Sequence, residues 1–152
     1  LGFNSNGRPV EYFDRTFTWE HKDEMIQQCD FIVLLLPLID RTYHFLAERE
    51  FAMMKDTAFV INVGRGPLVK EDALLEALEN NWIKGAAVDV FDKEPLPESS
   101  PLWEAKNLIL TPHLSAKTKY FFDRSIAIFE ENYHAYKNNQ PLKFEIDFIK
   151  GY

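Results

Sequence analysis

Four polar side chains stand where an apolar core would not want them: Arg65, Asp89, Glu94 and His113. Each lies at or just beyond the end of a short apolar run, and their types are chemically complementary. A guanidinium presents a planar fork of donors that can clamp a carboxylate through two hydrogen bonds. An imidazole can give or take a proton near neutral pH, and a carboxylate beside it can hold it in one tautomer. Such a set could bind a small carboxylic acid and deliver a proton to a neighbouring oxygen. Taken singly, each residue has a plainer reading. Arg65 could solvate a strand-to-helix turn, Glu94 before Pro95 could be a solvated turn, and His113 could be a structural histidine. What favours chemistry is their common placement.

The elements that must position them are short and regularly spaced. Residues 31–36 (FIVLLL), 58–63 (AFVINV), 86–90 (AAVDV) and 108–111 (LILT) are continuous apolar runs of strand length, as expected for strands buried on both faces. Residues 48–54 and 70–80 carry helical spacing between them; the second places Leu74, Leu75 and Leu78 on one face and acidic residues in its first turn. Alternating strands and helices of this size predict an α/β fold, a Rossmann-like doubly wound parallel sheet. In such a sheet the strand ends share one edge, so Arg65, Asp89, Glu94 and His113 converge there although they are far apart in sequence. Upstream, residues 1–5 read as the tail of a strand, 16–19 as an edge strand and 19–28 as a helix. Downstream, a long helix spans 118–137 and stops at Asn138-Asn139-Gln140-Pro141.

Composition narrows the partners. The net charge of −7 and the lack of Lys/Arg clusters argue against nucleic acid. A single cysteine, Cys29, excludes an internal disulfide and suits a reducing compartment. No apolar run approaches a membrane span and no signal-like segment opens the chain, so a cytoplasmic location without membrane attachment is expected. No His or Cys pair has metal-ligand spacing, so no metal is expected. Ser115 lacks the glycine-flanked turn of a serine hydrolase.

Four stretches occur in an order and spacing that resembles the D-isomer-specific 2-hydroxyacid dehydrogenases. They are Leu35-Leu36-Pro37-Leu38 with Asp40 and Thr42, then residues 62–69 (NVGRGPLV), 89–96 (DVFDKEPL) and 111–115 (TPHLS). The resemblance covers essentially the whole chain. It implies hydride transfer between a nicotinamide cofactor and C2 of a 2-keto or 2-hydroxy acid, of the glyoxylate or hydroxypyruvate reductase type. By the same resemblance Arg65 binds the substrate carboxylate and carbonyl, His113 is the acid that protonates the carbonyl oxygen, Glu94 is its carboxylate partner, and Asp89 faces the nicotinamide. Pro37, Thr42, Val63, Gly64 and Ser115 fall where the family lines its cofactor groove, which Arg65, Asp89 and His113 also border. A homodimer is implied for the intact protein. A second reading on the same fold is a non-catalytic regulator that senses the dinucleotide; the presence of Arg65, Glu94 and His113 together favours the enzyme.

Cofactor choice follows from the end of the strand at residues 1–5. An acid there would bond the adenosine ribose, whereas an arginine accommodates a 2′-phosphate. The sequence reads Asn4-Ser5-Asn6-Gly7-Arg8, with no acid before Glu11. NADP(H) is therefore preferred, with Ser5, Asn6 and Arg8 around the phosphate and NAD accepted; the plainer reading is a polar turn. The chain departs from the family at its start. It has no Gly-x-Gly-x-x-Gly loop and no strand preceding one, so the sheet is incomplete at its N-terminus. Residues 1–137 then form a partial dinucleotide-binding domain including the long crossover helix, and 138–152 a tail that belongs to or reaches toward a substrate domain. A fragment of this kind is expected to have a divided sheet, an apolar edge at 31–36 and no meaningful turnover alone.

Overall fold

The computed structural model describes residues 1–149, which fall into two compact units, 1–112 and 113–149. In the first, β1 (Gly2–Phe3) pairs with β2 (Thr16–Phe17), and a second sheet holds β3 (Phe31–Leu34), β4 (Phe59–Asn62), β5 (Gly85–Val88) and β6 (Leu108–Leu110) in that order. Every pairing is parallel. The chain reaches β3 through α1 (Lys22–Gln28), β4 through α2 (Glu48–Ala52) and β5 through α3 (Glu71–Glu79). In α3 the buried residues Ala73, Leu74, Ala77 and Leu78 recur at helical spacing, while Glu71 and Asp72 occupy the favourable first turn.

The strands fall into two sheets, the divided arrangement that the sequence leads one to expect. Among the described residues β3 pairs only with β4, so its other edge is bare. The two sheets nonetheless share one core, in which Phe17 of β2 joins Ile26, Ile32, Phe51, Val60, Leu74 and Val88.

The expected burial of both sheet faces is corrected in part. Ile32, Leu34, Val60 and Val88 are buried, but Phe31, Val33, Phe59 and Ile109 are exposed, Phe31 by 64% and Ile109 by 66%. Crossovers of one hand between strands laid down in spatial order all fall on one side of the sheet. The opposite side is left apolar, and on it the rings of Phe31 and Phe59, register partners, stack at 5.5 Å.

In the second unit α4 (Phe121–Lys137) begins three residues later than the sequence pattern suggests, because a turn at Thr118 precedes it, with the Phe121 amide donating to the Thr118 carbonyl at 3.1 Å. The following chain is tied back to the helix. Asn132 donates to the Lys143 carbonyl (3.0 Å) and accepts from its amide (2.8 Å), and Lys143 pairs with Glu131 at 2.7 Å. The end of the 138–152 tail, residues 150–152, lies outside the described residues. No helix among the described residues is long and apolar enough to cross a membrane.

Candidate active site at the carboxyl edge of the sheet

Register sets the site. Leu34, Asn62, Val88 and Leu110 are successive partners across the last row of the sheet, so the loops after β3, β4, β5 and β6 leave from one level. This is the edge at which open parallel sheets bind ligands.

The loop after β4 carries Arg65. Asn62, only 1% exposed, accepts from the Gly64 amide through Oδ1 (3.1 Å) and donates to the Arg65 carbonyl through Nδ2 (2.9 Å). Gly66 lies so near the loop after β5 that a Cβ there would sit 2.0 Å from the Phe91 carbonyl carbon. Leu68 and Val69 are buried anchors, and the His44 amide donates to the Pro67 carbonyl at 2.7 Å. The backbone is thus held from three sides while the Arg65 side chain is exposed. Among the described residues, its only side-chain hydrogen bond runs from Nη1 to the Gly64 carbonyl (2.7 Å), and no carboxylate pairs with it. A guanidinium so placed can take a carboxylate ligand.

The loop after β5 supplies the acids. Asp89 is 3% exposed and accepts from the Thr111 hydroxyl at 2.5 Å; its amide donates to the Asn62 carbonyl at 3.0 Å. Glu94 accepts from the Phe91 amide (3.1 Å), which curls the loop back on itself, and the Glu94–Pro95 peptide is cis. Glu71, at the start of α3, accepts from the Asp92 amide at 2.9 Å. Burial pushes the carboxyls of both Glu71 and Asp92 above the usual range.

His113 and Ser115 open the second unit and are exposed. His113 has φ 52°, the left-handed region that histidine visits more readily than bulkier residues.

The residues expected to line a cofactor groove divide by exposure. Pro37 is exposed, Val63 half-buried and Gly64 buried. Thr42 is 3% exposed and its hydroxyl is used within its own loop, donating to the Pro37 carbonyl (2.7 Å) and accepting from the Ile39 amide (2.8 Å). Its geometry shapes the loop after β3. At the end of β1 the Asn6 side chain accepts from the Arg8 amide (3.0 Å), Gly7 adopts φ 67°, and Ser5 and Arg8 are exposed. Hydroxyl, amide and guanidinium without a carboxylate make a donor set that fits a phosphate.

Three residues of the site carry no role in the sequence reading: Asn62, Gly66 and Glu71. The signal for Asn62 was available, since it is the one polar residue in the run AFVINV. Gly66 and Glu71 act across loops distant in sequence, which no local pattern reveals. Among the described residues no cluster of His, Cys, Asp and Glu could hold a metal ion.

Residues 1–115 match the family model for the NAD binding domain of D-isomer specific 2-hydroxyacid dehydrogenases. A glyoxylate/hydroxypyruvate reductase B from Serratia proteamaculans is 47% identical over 96 residues, which cover 63% of this chain and 30% of the relative. A D-isomer specific 2-hydroxyacid dehydrogenase family protein from Aeromonas salmonicida superposes with a TM-score of 0.89 at 39% identity, over 97% of this chain and 47% of its own. The NADPH-dependent glyoxylate/hydroxypyruvate reductase of Sinorhizobium meliloti, solved with NADP and sulfate, gives 0.90 at 29% identity, over 99% of this chain and 48% of its own. The chain spans half the length or less of the curated relatives it matches first, between 50% and 30%.

Proposed function

Since the chain belongs to the D-isomer specific 2-hydroxyacid dehydrogenase family, we propose that the intact protein reduces small 2-keto acids such as glyoxylate and hydroxypyruvate to 2-hydroxy acids, preferring NADPH and accepting NADH. The observation that carries this reading is the exposed Arg65 on a turn held from three sides, at the sheet edge that also bears Asp89 and Glu94. A carbonyl receiving hydride needs a cation for the attached carboxylate and a proton donor where negative charge develops.

In this mechanism Arg65 clamps the substrate carboxylate and orients the adjacent carbonyl. The nicotinamide, when bound, supplies the hydride that forms the new C–H bond at C2. As the carbonyl π pair moves onto oxygen, His113 gives that oxygen its proton. Glu94 holds the imidazole in the donating tautomer and stabilises its protonated form. Asp89, buried and held by Thr111, borders the nicotinamide position. Ser5 and Arg8 bind the 2′-phosphate, supported by the absence of an acid in that turn. The same proposal includes a cytoplasmic homodimer, the location supported by the single cysteine and the dimer by the family resemblance.

Steady-state kinetics of the full-length protein with glyoxylate and hydroxypyruvate, using NADPH and NADH in turn, test the reading. His113→Ala is expected to abolish most reduction while NADPH binding is mostly kept. A clear preference for NADH would overturn the cofactor assignment, and dinucleotide binding without any turnover would favour the regulator.

A further inference from the structure

We propose that Asn62 is the positioning residue for the Arg65 carboxylate anchor, a role that rests on the reading of Arg65 given above. Its amide is used at both ends on the loop that carries the arginine, accepting from the Gly64 amide at 3.1 Å and donating to the Arg65 carbonyl at 2.9 Å. Only a carboxamide of this length offers a donor and an acceptor together: aspartate would lose the first, and a leucine of similar shape both. The main-chain carbonyl at the same position, which any residue would offer, accepts from the Asp89 amide at 3.0 Å, so the pairing of β4 with β5 sets how far the Arg65 turn stands from the strand end bearing Asp89.

Two further contacts convert this bracket into a single geometry. Gly66 closes directly on the Phe91 carbonyl, with no room for a Cβ, and Gly64 lies where a Cβ would meet Leu68 Cδ1 at 2.8 Å and the Leu34 carbonyl at 3.2 Å. The turn therefore cannot shift toward β3 or toward the loop after β5. Asn62 holds it in the remaining direction, along β4. Without the bracket, the buried Gly64 amide loses its acceptor and the Arg65 carbonyl keeps only the Leu68 amide, at 3.2 Å, so the turn gains by moving until the Gly64 amide finds water or another acceptor. A guanidinium at the end of a long side chain magnifies that displacement, and misplacement of about 1 Å is enough to weaken a bidentate clamp severely.

The test uses the full-length protein with Asn62→Ala, and with Asn62→Asp as the second variant should the first not fold. Three quantities are read: kcat and KM for glyoxylate, inhibition by oxalate, and amide exchange at residues 64–66. We expect the glyoxylate KM and the oxalate inhibition constant to rise roughly ten- to hundredfold, with a smaller change in kcat and unchanged NADPH affinity. Exchange at residues 64–66 should accelerate. In an Arg65→Ala background, Asn62→Ala should add almost nothing to the loss in kcat/KM, because both act through one group. A variant that only melts earlier, with KM and oxalate inhibition as in the wild type, would overturn the proposal. So would losses that multiply with those of Arg65→Ala. Failure of the functional reading is separately visible as a wild-type protein that reduces no 2-keto acid. Oxalate binding and exchange at residues 64–66 then still decide whether Asn62 positions an anion-binding arginine.

Discussion

The turns after β1 and β4 are built on the same device and differ in burial. Each strand leads into an asparagine whose amide brackets the following turn, and each turn presents an arginine. Asn4 Oδ1 accepts from the amides of Asn6 (3.3 Å) and Gly7 (2.6 Å), and its Nδ2 donates to the Arg8 carbonyl (2.9 Å). Asn62 does the same for Gly64 and Arg65. Asn4 is half-buried at the end of a two-residue strand, and its turn is largely exposed, whereas Asn62 is 1% exposed between neighbouring strands. Water can replace the first bracket but not the second. On the function proposed above, the exposed turn gives way to an incoming phosphate while the buried one holds its arginine for a smaller carboxylate. Placement within the sheet, not the local motif, makes one turn compliant and the other rigid.

Several substitutions would break or sharpen this contrast. The largest effect is expected at Arg65→Ala, with kcat/KM for glyoxylate falling about 100- to 1000-fold, whereas Arg8→Ala should leave the glyoxylate KM alone. Initial-rate kinetics on both variants check this, and equal losses would remove the distinction between the turns. Next is Gly66→Ala, whose Cβ would overlap the Phe91 carbonyl. It should lower stability by about 1–3 kcal/mol, against about 1 kcal/mol for Gly7→Ala, where the cost is the positive φ of 67° and a Cβ 2.7 Å from Thr18 Cγ2, a side-chain methyl that can move aside as the Phe91 backbone cannot. Urea midpoints compare the two. Arg8→Ala should raise the NADPH KM roughly tenfold, a charge-assisted bond lost, with little change for NADH. A parallel rise for both cofactors would mean that the arginine does not read the phosphate.

The smallest effect concerns pH and lies beside the buried turn. Burial holds the Glu71 carboxyl above its ordinary range. Its folded-state value exceeds the unfolded one, so its contribution to stability is present below the unfolded pKa and lost as pH rises through the folded one. Glu71→Gln keeps an acceptor for the Asp92 amide and removes that loss. The variant should gain on the wild type as pH climbs from about 4 to about 7, measured as the difference in urea midpoints. Asp92, whose carboxyl burial also raises, keeps part of the slope in both proteins. A variant that loses ground over that range would show that Glu71 stabilises the fold as an anion.

Legibility differed by region. Strands β3 to β6 could be read because each is a short apolar run, bounded by turn residues, that asks for a parallel sheet whatever surrounds it. Arg65, Asp89 and Glu94 were legible as polar groups following such runs. The bare face was not. FIVLLL is equally apolar at exposed Phe31 and Val33 and at buried Ile32 and Leu34, so only the placement of α2 and α3 separates the faces. The use of the Thr42 hydroxyl within its own loop was equally illegible, because that contact is set by the path of the chain from Pro37 to Thr42.

By itself the sequence determined which segments become strands, which helices link them and which polar residues stand at their carboxyl ends, because hydrophobic periodicity and turn chemistry act over a few residues. Only the tertiary structure decided that the Asn62 bracket is buried, that Gly66 meets Phe91 and that Glu71 holds Asp92. Those features depend on register between strands and on close approach of separate loops, and the cost of an unmade hydrogen bond or a forbidden Cβ arises only once packing has closed around the group.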